Sequence, residues 1–297
     1  MIKPLDIFKT KEVRDLLSDF YYLNFQKAFL GGDIGQKIVQ ITWDNRNIHS
    51  PKEIYRKIAS LFEEARARNK YKVEERRPIT LFKIAGVKTF LDFGSNKFRT
   101  LNEFGYDHPN VKKLIGVDVI PKSGDFAYPE KSEYIQVDED ANNFPLEGES
   151  VDLINVQFVF HHVKDKKTIQ NIIKNLVKVL KQRGRLLLWE ESFEEECDVA
   201  KLVSTNIALK IKTDFDLTNR FYLLGPEQRW EFIIVNDWIF NVNNPHMQWS
   251  GQYYCWEQWV KIMKDGGLSL EKYYNLGIRV NGQIKHGIHI IGEFVKI

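Results

Sequence analysis

Short apolar runs alternate with longer amphipathic stretches from residue 88 to about residue 190. The runs near 88–93, 113–118, 133–137, 151–156 and 184–190 predict strands. Leu114-Ile115-Gly116-Val117 and Arg185-Leu186-Leu187-Leu188-Trp189 are apolar almost without a break, as suits strands buried on both faces of a parallel sheet. Between the last two runs, Ile169, Ile172, Ile173, Leu176, Val177 and Leu180 recur at helical spacing and predict a helix over Lys167–Leu180. Alternating strands and helices with right-handed crossovers predict an α/β fold, a three-layer α-β-α sandwich on a mostly parallel sheet. After residue 197 the alternation stops. A polar and aromatic segment runs to about 250. Then come a helix at Gln252–Lys264, a Gly266-Gly267 stop, and strand-like runs near 269–275 and 286–295. These bring the sheet to seven strands and predict an antiparallel edge hairpin, with Asn281-Gly282 as a turn in its connection.

The first 80 residues have a different pattern. Val13, Leu16, Leu17, Phe20, Leu23 and Phe25 predict a helix within Glu12–Leu30. Ser50-Pro51-Lys52-Glu53 has the form of an N-cap with proline in the first turn, opening a helix through Ile54, Ile58, Leu61 and Phe62. Arg77-Pro78 then marks a boundary. The predicted organisation is a helical N-terminal extension over 1–80 and a main domain over 81–297, with an insert-like segment at about 195–260.

Composition narrows the class. Hydrophobic residues at 43% and charged residues at 28% are those of an ordinary globular chain, and seven Trp with twenty Phe allow a well-filled core. No apolar run approaches the length of a membrane span, and Met-Ile-Lys-Pro-Leu-Asp lacks the form of a secretory signal. Cys197 and Cys255 are too few and too far apart for a disulfide framework or a cysteine metal site. A reducing compartment, the cytoplasm, is the expectation. A net charge of +3 does not by itself imply a nucleic-acid partner. The basic stretch from Arg66 to Arg77 reads as a solvated helix end and linker, with a footprint for an anionic polymer as the alternative.

The stretch with most chemical content is Lys88-Thr89-Phe90-Leu91-Asp92-Phe93-Gly94, followed by Ser95, Asn96 and Lys97. A second apolar run delivers Asp118 twenty-four positions after Gly94. An apolar strand, a glycine turn and a later strand-end carboxylate are how open α/β sheets hold a nucleoside at the carboxyl ends of their strands. An ionised carboxylate also suits a ribose diol, because it accepts two hydroxyl hydrogen bonds at once.

This order of elements resembles the class I S-adenosylmethionine-dependent methyltransferases over roughly residues 85–295. Leu91-Asp92-Phe93-Gly94 resembles the family's first motif and Ile115-Gly116-Val117-Asp118 its second. Val137-Asp138-Glu139-Asp140-Ala141 resembles the acid-alanine turn beside the adenine. Glu149-Ser150-Val151-Asp152-Leu153-Ile154 and Asn155-Val156-Gln157-Phe158-Val159-Phe160-His161-His162-Val163 resemble strand 4 and its following loop, and Val179 to Glu190 resembles the turn into strand 5. The resemblance implies a Rossmann-like sandwich with S-adenosyl-L-methionine as cofactor. It places Asp92, Gly94 and Asn96 at the cofactor's amino-acid end, Asp118 at the ribose, and Asp140 with Ala141 at the adenine. Asn155 and Gln157 would contact the cofactor tail or the acceptor. His161 and Glu190 become the catalytic candidates on the acceptor side, His161 because an imidazole titrates near neutrality. No metal is expected.

One departure stands out. The family pattern carries a second and often a third glycine after the first, whereas this chain reads Ser95-Asn96-Lys97-Phe98. Asn96 is the candidate to replace a turn glycine, since asparagine enters left-handed conformations at modest cost.

The expected activity is methyl transfer to a nucleophilic N or O. The acceptor would be an RNA cap or other nucleotide-containing molecule, or else a small metabolite. Trp189-Glu190 and Tyr253–Gly267 bear a faint likeness to viral, RNA-cap-related methyltransferases. Tyr254, Trp256 and Trp259 read first as anchors of their helix to the sheet, with stacking on a planar substrate as the alternative. The competing function is an inactive methyltransferase-fold subunit with a structural or regulatory role in a nucleic-acid-processing assembly. A protein partner through the N-terminal extension and an RNA partner are both expectations; a membrane partner is not.

Overall fold

The computed structural model describes residues 4–28, 31–48, 51–68, 81–82, 84–95, 99–121, 131–141, 144–241, 252–280 and 287–297. The Arg77-Pro78 boundary, the Asn281-Gly282 turn, and Asn96, Lys97 and Phe98 lie outside these residues, as does most of the basic stretch 66–77.

Seven strands form one sheet: β1 (Thr89–Phe93), β2 (Lys113–Asp118), β3 (Ser132–Gln136), β4 (Val151–Gln157), β5 (Leu180–Glu191), β6 (Leu268–Ile278) and β7 (Ile288–Lys296). Their order is β3-β2-β1-β4-β5-β7-β6, with parallel pairing from β3 through β5 and antiparallel strands at the β6 edge. This is the Rossmann-like α/β sandwich that the alternation of runs predicts. The order reverses between β1 and β4, and the crevice at such a switch point lies off the carboxyl ends of the strands.

The helices are α1 (Lys11–Lys27), α2 (Gly32–Asp44), α3 (Pro51–Arg68), α4 (Arg99–Asp107), α5 (Lys166–Val179), α6 (Val199–Ala208), α7 (Phe215–Leu223), α8 (Pro226–Asn241) and α9 (Trp256–Asp265). None of the described helices is long and apolar enough to cross a membrane. β1 shows why there are layers on both faces of the sheet. Phe90 stacks on Phe104 of α4, with centroids 3.7 Å apart, while Leu91 and Phe93 point the other way, into a core shared with α5 and α9. That core includes Ile169, Ile173, Leu176, Trp259 and Met263, all buried. Gly266, at the end of α9, packs so closely on Ile173 of α5 that a Cβ would lie 2.4 Å from its Cγ2.

The chain divides into two compact units. The sandwich unit holds Arg77–Glu190, Tyr254–Tyr274 and Ile290–Ile297, and the helical unit holds Met1–Arg76, Glu191–Tyr253 and Asn275–His289. In the helical unit α1 buries Val13, Leu16, Leu17, Phe20, Tyr21 and Phe25 along one side, the face its sequence spacing predicts. The stretch after residue 197, which had no readable period, contains α6, α7 and α8. α8 buries Phe232, Ile233, Val235, Trp238 and Ile239 together with the polar Glu231, Asn236 and Asp237. A helix enclosed on most sides shows no amphipathic stripe to read.

Glu231 reaches from α8 to the start of α1, where its carboxylate accepts the N–H groups of Lys9 (2.7 Å) and Thr10 (2.8 Å) and the Thr10 hydroxyl (3.0 Å). Arg220 of α7 pairs with Asp19 at 2.8 Å, and buried Asn24 donates to the Arg279 carbonyl at 3.3 Å. The N-terminal helices and the segment after β5 thus share one core.

Candidate active site at the carboxyl ends of the strands

β1 delivers Asp92 and then Gly94 to the switch point. Asp92 is 3% exposed and lies in register with Asn155 on β4, whose amide Nδ2 donates to Asp92 Oδ1 at 2.7 Å. The pair satisfies two buried polar groups at once and links the two strands from which the order diverges. Gly94 has φ +76°, and a Cβ there would lie 2.2 Å from Val159 Cγ2. Only glycine meets both conditions without moving the chain. The N–H groups of Gly94 and Ser95 both donate to the Val117 carbonyl, at 2.8 and 3.1 Å, which ties the turn to the end of β2.

Asp118 ends β2 and is 8% exposed; its Oδ1 accepts the Ile120 N–H at 3.1 Å. Asp140 forms an ion pair with Lys164, and that carboxylate raises the Lys164 ammonium above its ordinary pKa. Ala141 is buried with φ +47°. Its N–H donates to Asp138 O (2.9 Å), and its carbonyl accepts from Asn175 of α5 (2.7 Å). Gln157 closes β4 opposite Trp189.

Beyond β4 the chain turns sharply. Phe158 has φ +54° and donates its N–H to the Trp189 carbonyl at 2.8 Å. Phe160–His162 form a short 3-10 turn, and the rings of His161 and His162 lie 3.9 Å apart. Glu190 of β5 is wholly buried; its Oε2 pairs with His161 Nδ1 at 2.5 Å, and its Oε1 accepts the N–H groups of Val159 (3.0 Å) and Phe160 (2.7 Å).

The structure therefore brings Asp92, Gly94, Asp118, Asn155 and Gln157 to the carboxyl ends of neighbouring strands. Asp140 and Ala141 lie in the turn that follows β3, and His161 and Glu190 meet as a pair. Asn96 falls outside the described residues. Val159, Lys164 and Asn175 carry no role in the sequence reading: Val159 lies in the loop stretch after β4 as an ordinary apolar residue, and each of the three is placed by a neighbour distant in the chain. Asp152, near the start of β4, serves the opposite, amino end of the strands. There it accepts the N–H groups of Lys88 (2.9 Å) and Thr89 (2.8 Å) and pairs with Lys181 (2.7 Å). Trp256 and Trp259 are core residues, packed on Phe294 and Phe160 respectively.

Residues 91–188 match the family model described as a methyltransferase domain. No curated protein sequence matches the chain. Among solved structures, the chain is similar to an S-adenosylmethionine-dependent methyltransferase from Methanosarcina mazei, at 16% identity over 75% of this chain and 99% of the other, with a TM-score of 0.47. It is also similar to the YcgJ protein from Bacillus subtilis, at 17% identity over 73% and 95%, with a TM-score of 0.44. A third is the N-methyltransferase NodS from Bradyrhizobium japonicum in complex with S-adenosylhomocysteine, at 15% identity over 71% and 78%, with a TM-score of 0.43. The matched stretch carries the strands bearing Asp92, Asp118 and Asn155, and over it the chain is similar to a methyltransferase domain.

Proposed function

We propose that the chain transfers a methyl group from S-adenosylmethionine to a nucleophilic nitrogen or oxygen. The observation that carries this reading is the set of Asp92, Gly94, Asp118 and Asn155 at the carboxyl ends of β1, β2 and β4, inside the stretch matching a methyltransferase domain. The residues present fit the cofactor. Asp118 offers a nearly buried strand-end carboxylate to a ribose diol. Ser95, 5% exposed, holds a hydroxyl without a hydrogen-bond partner beside the glycine turn, which a polar ligand group would satisfy.

The bound cofactor supplies an activated methyl group on a sulfonium. The protein's task is alignment and exclusion of water, and holding reactants in line lowers a barrier by up to about 7–11 kcal/mol. Asp118 would orient the ribose, Asp92 with Asn155 the amino-acid tail, and Asp140 with Ala141 the adenine side. His161 would stand toward the acceptor.

The acceptor class divides into nucleotide-containing molecules, an RNA cap among them, and small metabolites. Trp256 and Trp259 are buried in the core and anchor α9 to the sheet. Calorimetric titration with S-adenosylhomocysteine tests the cofactor, and transfer of labelled methyl to a panel of capped RNA, nucleotides and small amines or alcohols sorts the acceptor. Asp118→Ala should weaken binding at least about tenfold, a loss of roughly 1.4 kcal/mol. A wild-type chain that binds no cofactor at millimolar concentration belongs instead to the inactive-subunit reading.

A further inference from the structure

We propose that Glu190 is a positioning residue for the cofactor turn, acting through Val159 on Gly94. The inference rests on the methyl-transfer reading and adds how that site is held in shape. Glu190 makes three hydrogen bonds with three consecutive residues: the N–H groups of Val159 (3.0 Å) and Phe160 (2.7 Å), and His161 Nδ1 (2.5 Å). Its side chain is fully buried, so these bonds form without competition from water.

Val159 is the link to the turn. Its Cγ2 occupies the space a Cβ at position 94 would fill, 2.2 Å from the ideal Cβ position, and Cγ1 lies 3.3 Å from it. The path of the chain through Gly94 therefore depends on where Val159 sits, and Val159 is held at its backbone by Glu190. The residue before it, Phe158, adopts φ +54°, a conformation a bulky residue keeps only where the surroundings enforce it. Glu190 supplies that enforcement on the following two amides. A turn with Gly94 as its one glycine has little freedom of its own to mould to a ligand, so an external strut has more to do here.

The same geometry sets the role of Glu190. Oε1 already accepts two backbone N–H groups and Oε2 pairs with His161, so the residue acts on ligands through its neighbours.

The test is S-adenosylhomocysteine affinity by calorimetry, read together with melting temperature, for Glu190→Ala, Glu190→Gln, Val159→Ala and the double variant Glu190→Ala/Val159→Ala. Asp165→Ala, which removes only the N-cap of α5, serves as a control for general destabilisation. Glu190→Ala should weaken binding about tenfold or more. Glu190→Gln, which keeps an oxygen for the Val159 and Phe160 amides, should stay within about threefold of wild type. The double variant should bind no worse than the weaker single variant, because both act along one path. The inference is overturned if Glu190→Ala binds like wild type, if Gln rescues nothing, or if the single losses multiply. Should Glu190→Ala fail to fold, Glu190→Gln and Val159→Ala decide the matter. A wild-type chain without affinity defeats the methyl-transfer reading; a wild-type chain with affinity and an unaffected Glu190→Ala defeats only this inference.

Discussion

At the scale of single residues, the glycine and the carboxylates of this chain are placed by different forces. Gly94 is demanded twice over, by its positive φ and by the Val159 side chain 2.2 Å from any Cβ. Gly94→Ala should lower stability by about 1–3 kcal/mol, as strained backbone positions do, and weaken S-adenosylhomocysteine binding in calorimetry. Its unusual conformation was legible in the strand-glycine pattern; its contact with Val159 was not, since 65 positions separate the two residues. Asp92 and Asp152 both read from the sequence as acids on predicted strands. Neighbours in space divided them, Asn155 taking the first and the Lys88, Thr89 and Lys181 donors the second.

Asp152 also yields a pH prediction. Burial alone would push its carboxyl up, but the Lys181 ammonium and the Thr89 and Lys88 amides outweigh burial and hold it below the ordinary carboxylate range. A depressed acid contributes stability above its unfolded pKa of roughly 3.9, and that contribution is lost as pH falls through the folded value. Asp152→Asn should therefore cost about 1–2 kcal/mol at neutral pH and converge on wild type in strong acid. Urea titrations at pH 7 and in strong acid would measure both.

At the scale of elements, caps and periodicity explain which helices could be read. α5 has a strong apolar stripe and Asp165 at its N-cap, accepting the Thr168 N–H at 2.8 Å, and its predicted bounds differ from the observed ones by a single residue at each end. α9 starts at Trp256 rather than Gln252, because Cys255 is extended and its N–H is taken by the Gln258 side chain. α1 shows what sequence cannot convey. Thr10 stands at its N-cap without a side-chain cap bond, and the acceptor comes from Glu231, 221 positions away. Burial pushes the Glu231 carboxyl up against the pull of those hydrogen bonds. Glu231→Ala should cost about 1–3 kcal/mol, because it leaves the Lys9 and Thr10 amides without their acceptor. Glu231→Gln should retain most of that stability, and chemical denaturation of the two variants side by side would show it.

At the scale of the whole molecule, the chain forms a sandwich unit and a helical unit, and each is assembled from distant stretches. A ligand that binds only the folded state stabilises it by about 2.7 kcal/mol at a hundredfold excess over Kd. Calorimetric scans with excess S-adenosylhomocysteine should therefore raise the transition of the sandwich unit.

Local pattern alone was enough to give the strands, their sheet and the order of the motifs between Leu91 and Glu190. Those features are local: buried parallel strands must be apolar along their length, and the turns after them need particular residues at fixed offsets. Folding brought the N-terminal helices and the segment after β5 into one core, committed Glu190 to Val159, Phe160 and His161, and packed Trp256 and Trp259 inside. One cause underlies all three. A hydrogen bond or packing contact between residues far apart in the chain leaves no periodic trace in either stretch, so it becomes visible only once the chain has folded.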